Sequence, residues 1–154
     1  MTVDSYLNQL CQHLGLSEAD FSITVTDEAE LVTIQLDIPD DDVGLFIGHR
    51  GETLASLQRL TRIVFREEFA DKIVRLNVND YRQERNEQLE ERLINIVARI
   101  RESGDDYRFP FLSSYERFVI HSLITNNEAY QDLESLSEGE GEDRRLIIKL
   151  KRTE

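Results

Sequence analysis

The chain has 154 residues and a mass of 18.0 kDa, with 40% hydrophobic and 32% charged residues, seven Gly and two Pro. That leaves room for one ordinary domain or two small ones of globular composition, and excludes a large multidomain enzyme or a wholly disordered chain. Eighteen Lys and Arg against thirty-one Asp and Glu give a net charge of -13, which taken alone argues against a nucleic-acid partner.

The distribution of charge changes that argument. No Lys or Arg precedes Arg50, while ten Asp and Glu do. From His49 to Arg85, eight basic residues outnumber six acidic ones, and an acidic stretch from Glu128 to Asp143 gives way to Arg144, Arg145, Lys149, Lys151 and Arg152. Such reversals fit a mixed solvated surface and also permit local anion sites on an acidic protein. No segment approaches the roughly 18 apolar residues of a membrane span, and MTVDSYLNQLCQHL lacks a basic signal-peptide start. The sequence therefore predicts a cytoplasmic protein without a membrane span. The single cysteine, Cys11, lies on the apolar side of a helical pattern, which predicts a buried thiol.

In chain order, Val3, Tyr6, Leu7, Leu10, Cys11 and Leu14 predict an amphipathic helix over 3–14, stopped by Gly15. Phe21, Ile23 and Val25, then Val32, Ile34, Leu36 and Ile38, alternate as two strands of a hairpin. A short apolar turn, Val43 to Ile47, leads through Gly48-His49-Arg50-Gly51 into a helix carrying Leu54, Leu57, Leu60, Val64 and Phe65. Residues 72–78 read as a strand. A long helix over about 81–102 follows, with Tyr81, Leu89, Leu93, Ile96, Val97 and Ile100 on one apolar face. Beyond it, RFPFL predicts a short edge strand, and Ser113 with Glu116 predicts a capping box opening a helix through Phe118, Val119, Leu123 and Ile124. A poor pattern around Leu133 and Leu136 and a strong one at Leu146, Ile148 and Leu150 predict two strands, joined by the solvated loop SEGEGED.

The GHRG tetrapeptide is placed where backbone can meet phosphate. Its glycines allow positive φ and close approach, the new helix offers unpaired N–H groups, and His49 and Arg50 add donors. Glycine spacing alone also fits a plain connection between helices. In the later helix, Arg117 and His121 lie one turn apart and could both donate to phosphate. The alternative is an Arg117 paired with a carboxylate beside a structural His121. Arg108, Arg144 and Arg145 are candidates to extend that surface.

IGHRGETL in a helix–strand–strand–helix–helix–strand order resembles a type II KH domain, whose loop clamps the backbone of about four unpaired nucleotides. SSYERFVIHSLI carries the R-x-x-x-H spacing of the RxxxH nucleic-acid-binding domain, followed by SEGEGEDRRLIIKL. KH followed by RxxxH resembles the bacterial Jag family, also called KhpB or EloR, over nearly the whole chain. The sequence differs from the longer members in lacking the small N-terminal Jag-N domain and its charged linker, and is read as a short form. It has His49 where many relatives place Lys, and FPFLSSYER where many have Pro shortly before Tyr-Glu-Arg.

The resemblance implies an α+β chain, with a type II-like KH domain over 1–79 and a small α/β RxxxH-type domain over 80–154 that includes the long connecting helix 81–102. It implies binding of single-stranded RNA, or alternatively single-stranded DNA, through Gly48, His49, Arg50, Gly51, Arg117 and His121, with no cofactor and no metal. A small KH-domain protein or a second copy is the other implied partner, and a protein-interaction module with incidental nucleic-acid binding is the alternative function. Catalysis is not expected. His13, His49 and His121 are scattered in the sequence, and neither a C-x-x-C nor an H-E-x-x-H motif occurs.

Overall fold

In the computed structural model, which describes residues 1–152, the chain forms two units, Met1–Arg82 and a second from Gln83 onward. The first begins at Thr2, whose hydroxyl accepts the Ser5 N–H while the Ser5 hydroxyl answers the Thr2 N–H, a reciprocal cap for α1 (Val3–His13). Gly15 takes φ +97 just beyond the helix end. Strands β1 (Ser22–Asp27) and β2 (Leu31–Asp37) pair antiparallel, with Val25 opposite Ile34. After a 3-10 turn at Asp40–Asp42 come α2 (Val43–Ile47), the glycine loop, α3 (Glu52–Val64), α4 (Arg66–Phe69) and β3 (Ile73–Val78). β3 lies parallel to β2, giving a sheet of order β1-β2-β3.

The period of two decides which side of this sheet is covered. Val32, Ile34 and Leu36 on β2 and Val74, Leu76 and Val78 on β3 are buried with Leu7, Cys11, Phe46, Leu54 and Phe65 in one core. The α3 pattern differs from its sequence reading. Leu60 and Val64 are exposed, together with Ile63, while Thr61 is buried and donates its hydroxyl to the Leu57 carbonyl at 2.8 Å. That hydrogen bond lets a polar residue take the buried position. The four-residue α4 was too short to announce itself by periodicity; it buries Phe69 against Phe65.

Cys11 is fully buried, and burial pushes its thiol from an ordinary 9.0 up to about 11. Below pH 9 the thiol is neutral in both folded and unfolded chains. Between pH 9 and 11 only the unfolded chain ionises, so about 2–3 kcal/mol of stability present at neutral pH is lost over that window. The stability difference between the unaltered chain and Cys11→Ala, measured by urea melts, should shrink by this amount from pH 8 to pH 11. A difference constant with pH would contradict the burial effect.

The helix α5 (Tyr81–Ser103) starts in the first unit and continues into the second, where Leu89, Leu93, Ile96, Val97 and Ile100 are buried. Strand β4 (Tyr107–Arg108) has only two residues, and shares only Arg108 with the expected RFPFL. The Phe109 N–H still reaches the Leu146 carbonyl at 2.9 Å, but Pro110 has no N–H with which to extend the ladder. Ser113 caps α6 (Ser114–Asn126) in the expected box with Glu116. Strands β5 (Leu133–Glu138) and β6 (Arg145–Leu150) complete an antiparallel sheet of order β4-β6-β5. β5 forms despite its weak pattern because the regular β6 supplies its partner, with Ser135 opposite Ile148.

Glu116 is 3% exposed and fully engaged. One oxygen accepts Arg85 Nε at 2.6 Å and the other accepts the Ser113 N–H at 2.9 Å. The Tyr115 hydroxyl donates to Asn86 Oδ1 at 3.1 Å, a second tie between α6 and α5. Phe118 points away from this core and is exposed, contrary to its place in the apolar pattern. Among the described residues no helix is long and apolar enough to cross a membrane.

Candidate functional site

The glycine loop is built by its neighbours on both sides. Gly48 ends α2, donating its N–H to the Gly44 carbonyl at 2.9 Å, and turns the chain at φ 70, ψ -171. A Cβ at Gly48 would stand 2.0 Å from Thr53 Oγ1 and 2.7 Å from its Cβ, so both conformation and space demand glycine. Arg50 (φ 54, ψ 28) and Gly51 (φ 80, ψ 10) are left-handed, and Glu52 then enters α3 with its N–H on the His49 carbonyl. Left-handed Arg50 costs roughly 1 kcal/mol that a plain connection would avoid. No side chain caps α3, so amide donors at its start are left to solvent or ligand. His49 and Arg50 are exposed at the tip, and the Glu52 carboxylate follows in the first turn.

Two residues that hold this loop in place escaped the sequence reading. Tyr81 opens α5 and packs against the first core, with its hydroxyl 3.4 Å from where a Cβ on Gly51 would be. Asn79 is itself left-handed (φ 45) and grips the chain ahead of the loop: its Oδ1 accepts the Ile38 N–H at 2.9 Å and its Nδ2 donates to the Ile38 carbonyl at 3.0 Å. An Asn between a strand and a helix is the one local signal that pointed to this, since Asn tolerates positive φ. On the α3 side, Gln58 Oε1 accepts both the Leu76 N–H at 3.0 Å and Arg82 Nη2 at 3.1 Å, which fastens α3 to edge strand β3.

In the second unit, Arg117 and His121 share α6 but reach in different directions. Arg117 donates to the Leu112 carbonyl at 2.5 Å and to Ser114 Oγ at 2.9 Å, near the helix start. Among the described residues it pairs with no carboxylate. Burial, and then the positive charge of Arg144, pull its guanidinium below the ordinary arginine range, although it stays a cation at any physiological pH. His121 is exposed, with Nδ1 2.5 Å from Ser135 Oγ. Ser135 lies on the side of β5 that α6 covers, two residues from buried Leu133.

The flanking arginines divide. Arg108 pairs with Glu138 at 3.3 Å, and Arg145 bonds to the Glu142 carbonyl with its guanidinium over the Phe111 ring. Both are thus engaged locally, while the exposed Arg144 pairs with no carboxylate among the described residues. This leaves Arg117 and Arg144 as mutually repelling cations, while further along α6 the His121 Nε2 has no partner among the described residues. An anion would relieve that repulsion.

Comparison with known proteins bears on both units. The family model described as KhpA/KhpB, KH domain, matches residues 4–79, and the model of the domain named for its Arg-x-x-x-His motif, the RxxxH domain, matches residues 84–150. The chain is 31% identical over 148 residues to RNA-binding protein KhpB of Clostridium symbiosum, covering 96% of this chain and 64% of that protein. With RNA-binding protein KhpB of Bacillus subtilis (strain 168) the identity is 30% over 129 residues, 83% of this chain and 62% of the relative. With the protein of that name from Streptococcus pneumoniae serotype 2 it is 27% over 134 residues, 86% of this chain and 40% of the relative. The chain thus spans less than two thirds of the length of these curated relatives. A KhpA/KhpB-type KH domain followed by an RxxxH domain, with similarity to KhpB proteins along nearly all its length, makes the chain a member of the KhpB (Jag) family.

Proposed function

We propose that the chain binds single-stranded nucleic acid, RNA foremost, by clamping the backbone at two places. The observation that carries this reading is the GHRG loop. Three of its four residues hold positive φ, its first glycine has no room for a side chain, and two donors stand exposed at its tip before an uncapped helix. A loop that accepts this strain to bring bare backbone forward suits a phosphate chain, which needs N–H donors and no side-chain bulk. Arg117, Arg144 and His121 supply the second contact from the other unit. Because both are on one chain, the second engagement is an intramolecular event, and neither site has to be tight alone. The relatives' name, RNA-binding protein KhpB, supports RNA as the ligand.

The role is binding without catalysis. The His121 Nδ1 and the Ser135 hydroxyl stand 2.5 Å apart, so the serine fixes the ring for the contact proposed here. The acidic remainder of the chain repels duplexes and other polyanions, leaving the two cationic sites to select their ligand.

A short single-stranded RNA should therefore bind more tightly than a duplex of the same composition, measured by fluorescence anisotropy at about 50 mM salt. Bases must be unstacked to lie beside a clamped backbone, and a duplex cannot offer them. Equal or tighter duplex binding would contradict the reading.

A second reading has its own observation. Leu60, Ile63 and Val64 form an exposed apolar stripe on α3, and Ile73 at the start of β3 is exposed as well. Such a stripe fits a protein contact through the KH domain, with a small KH-domain partner or a second copy. The two readings separate in salt, which weakens phosphate contacts and leaves an apolar contact nearly unchanged.

A further inference from the structure

Seven Phe and five Tyr occur in the chain, all among the described residues, and of these only Phe118 is exposed, at 67% of its accessible surface. The other eleven are buried or half-buried. Among the described residues no ring or cation is stacked on it. We propose that Phe118 is a stacking platform for one nucleobase, next to the phosphate contact made by Arg117, Arg144 and His121. This rests on the single-strand reading above and adds a base contact to what is otherwise recognition of a backbone.

Three observations favour a base as the occupant. Helical spacing puts Ser114, four residues before, and His121, three residues after, on the same stripe of α6 as Phe118, so the ring stands among donors. The only carboxylate on α6, that of Glu116, is turned inward to Arg85, leaving the outer surface without negative charge from its own helix. Apolar surroundings are missing too. Among the described residues, the second unit's only other large exposed apolar residue is Ile94, on α5, whereas a protein interface needs a contiguous apolar patch of several hundred Å². One aromatic face bordered on its own helix by a hydroxyl and an imidazole, with no carboxylate there turned outward, suits a single-strand stacking site, because every base has a π-face to offer.

The chain contains no tryptophan, so F118W provides a single reporter at the proposed contact. The unaltered chain, F118W and F118L are titrated at about 50 mM salt with a labelled ten-nucleotide RNA and with an abasic strand of equal phosphate count. Leu preserves helix propensity and bulk but removes the π-face, so circular dichroism and melting should not change. F118L should bind the RNA roughly tenfold more weakly, and F118W within about threefold of the unaltered chain. The F118W emission should be quenched by the RNA in parallel with binding, and not by the abasic strand.

Unchanged RNA affinity in F118L, or unchanged F118W emission on bound RNA, would overturn the platform while leaving the single-strand reading in place. If F118L instead lowers a self-associated mass in sedimentation without altering RNA affinity, the ring belongs to a protein contact and the proposal fails. Absence of RNA binding by the unaltered chain would remove both the platform and the reading beneath it.

Discussion

Replacing His49 and Arg50 together by Asp should weaken single-stranded RNA binding on the order of 100-fold while the melting temperature moves by only a few degrees. Both glycines remain, so the turn is preserved, and Asp is among the residues that tolerate the left-handed conformation found at Arg50. What changes is the sign of charge where backbone phosphates would lie. Two carboxylates there add to Glu52 at the start of α3, and like charges held against a phosphate chain cost several kcal/mol. Anisotropy titration with circular dichroism on the same samples separates the effects. An intact fold with undiminished affinity would mean that the loop is not the clamp. Gly48→Ala would be a poorer test, since the added methyl meets Thr53 and disturbs the loop itself.

The largest stability effect is expected at Arg85, outside the proposed contacts. Glu116 is almost wholly buried, and Arg85 is its charged partner. Arg85→Met leaves a carboxylate inside the second unit with only the Ser113 N–H to compensate it. Removing one member of a buried pair typically costs 3–5 kcal/mol; the Arg85 side chain is 32% exposed, so water can reach the site and the lower end, about 3 kcal/mol, applies. In a unit of this size that lowers the melting temperature by on the order of 15 °C. Adding Glu116→Gln to Arg85→Met should recover at least about 1 kcal/mol, because the uncompensated charge is gone while an acceptor for the Ser113 N–H remains. Calorimetry of both variants reads this directly. A double variant no more stable than Arg85→Met would show that packing, and not charge, is what Arg85 supplies.

The order of elements was legible because it rests on periodicity: alternation marked β2 and β6, and helical spacing marked α1 and α5. The Ser113–Glu116 cap was legible because a capping box is a local pattern read within four residues. What escaped depends on partners distant in sequence. Nothing near Tyr81 shows that its hydroxyl will lie against Gly51, and nothing near Glu116 shows that Arg85, thirty-one positions earlier, will pair with it. Spacing also identifies an apolar stripe without telling which side is covered. Leu60, Val64 and Phe118 fit their helical patterns and yet face solvent, while Thr61 is buried by satisfying its hydroxyl within the helix. For the six candidate site residues, the sequence indicated the loop or helix that carries each one but not what each touches. Arg117 turns to a backbone carbonyl and a serine, and not to the carboxylate that was the alternative. The pairing of Arg108 with Glu138 and of Arg145 with the Glu142 carbonyl likewise needed the folded β4-β6-β5 sheet to appear.

An acidic chain that binds a polyanion through a few placed cations has a defined dependence on salt. Each neutralised phosphate of a single strand contributes a log–log slope of about -0.7. With the glycine loop, Arg117 and Arg144 engaged, three to four contacts should give a slope of roughly -2 to -3. The decisive measurement is therefore the affinity of the unaltered chain for a short single-stranded RNA between about 25 and 200 mM KCl. Binding that weakens with a slope in that range supports the two-contact clamp; no binding at the lowest salt, or an affinity independent of salt, would contradict it.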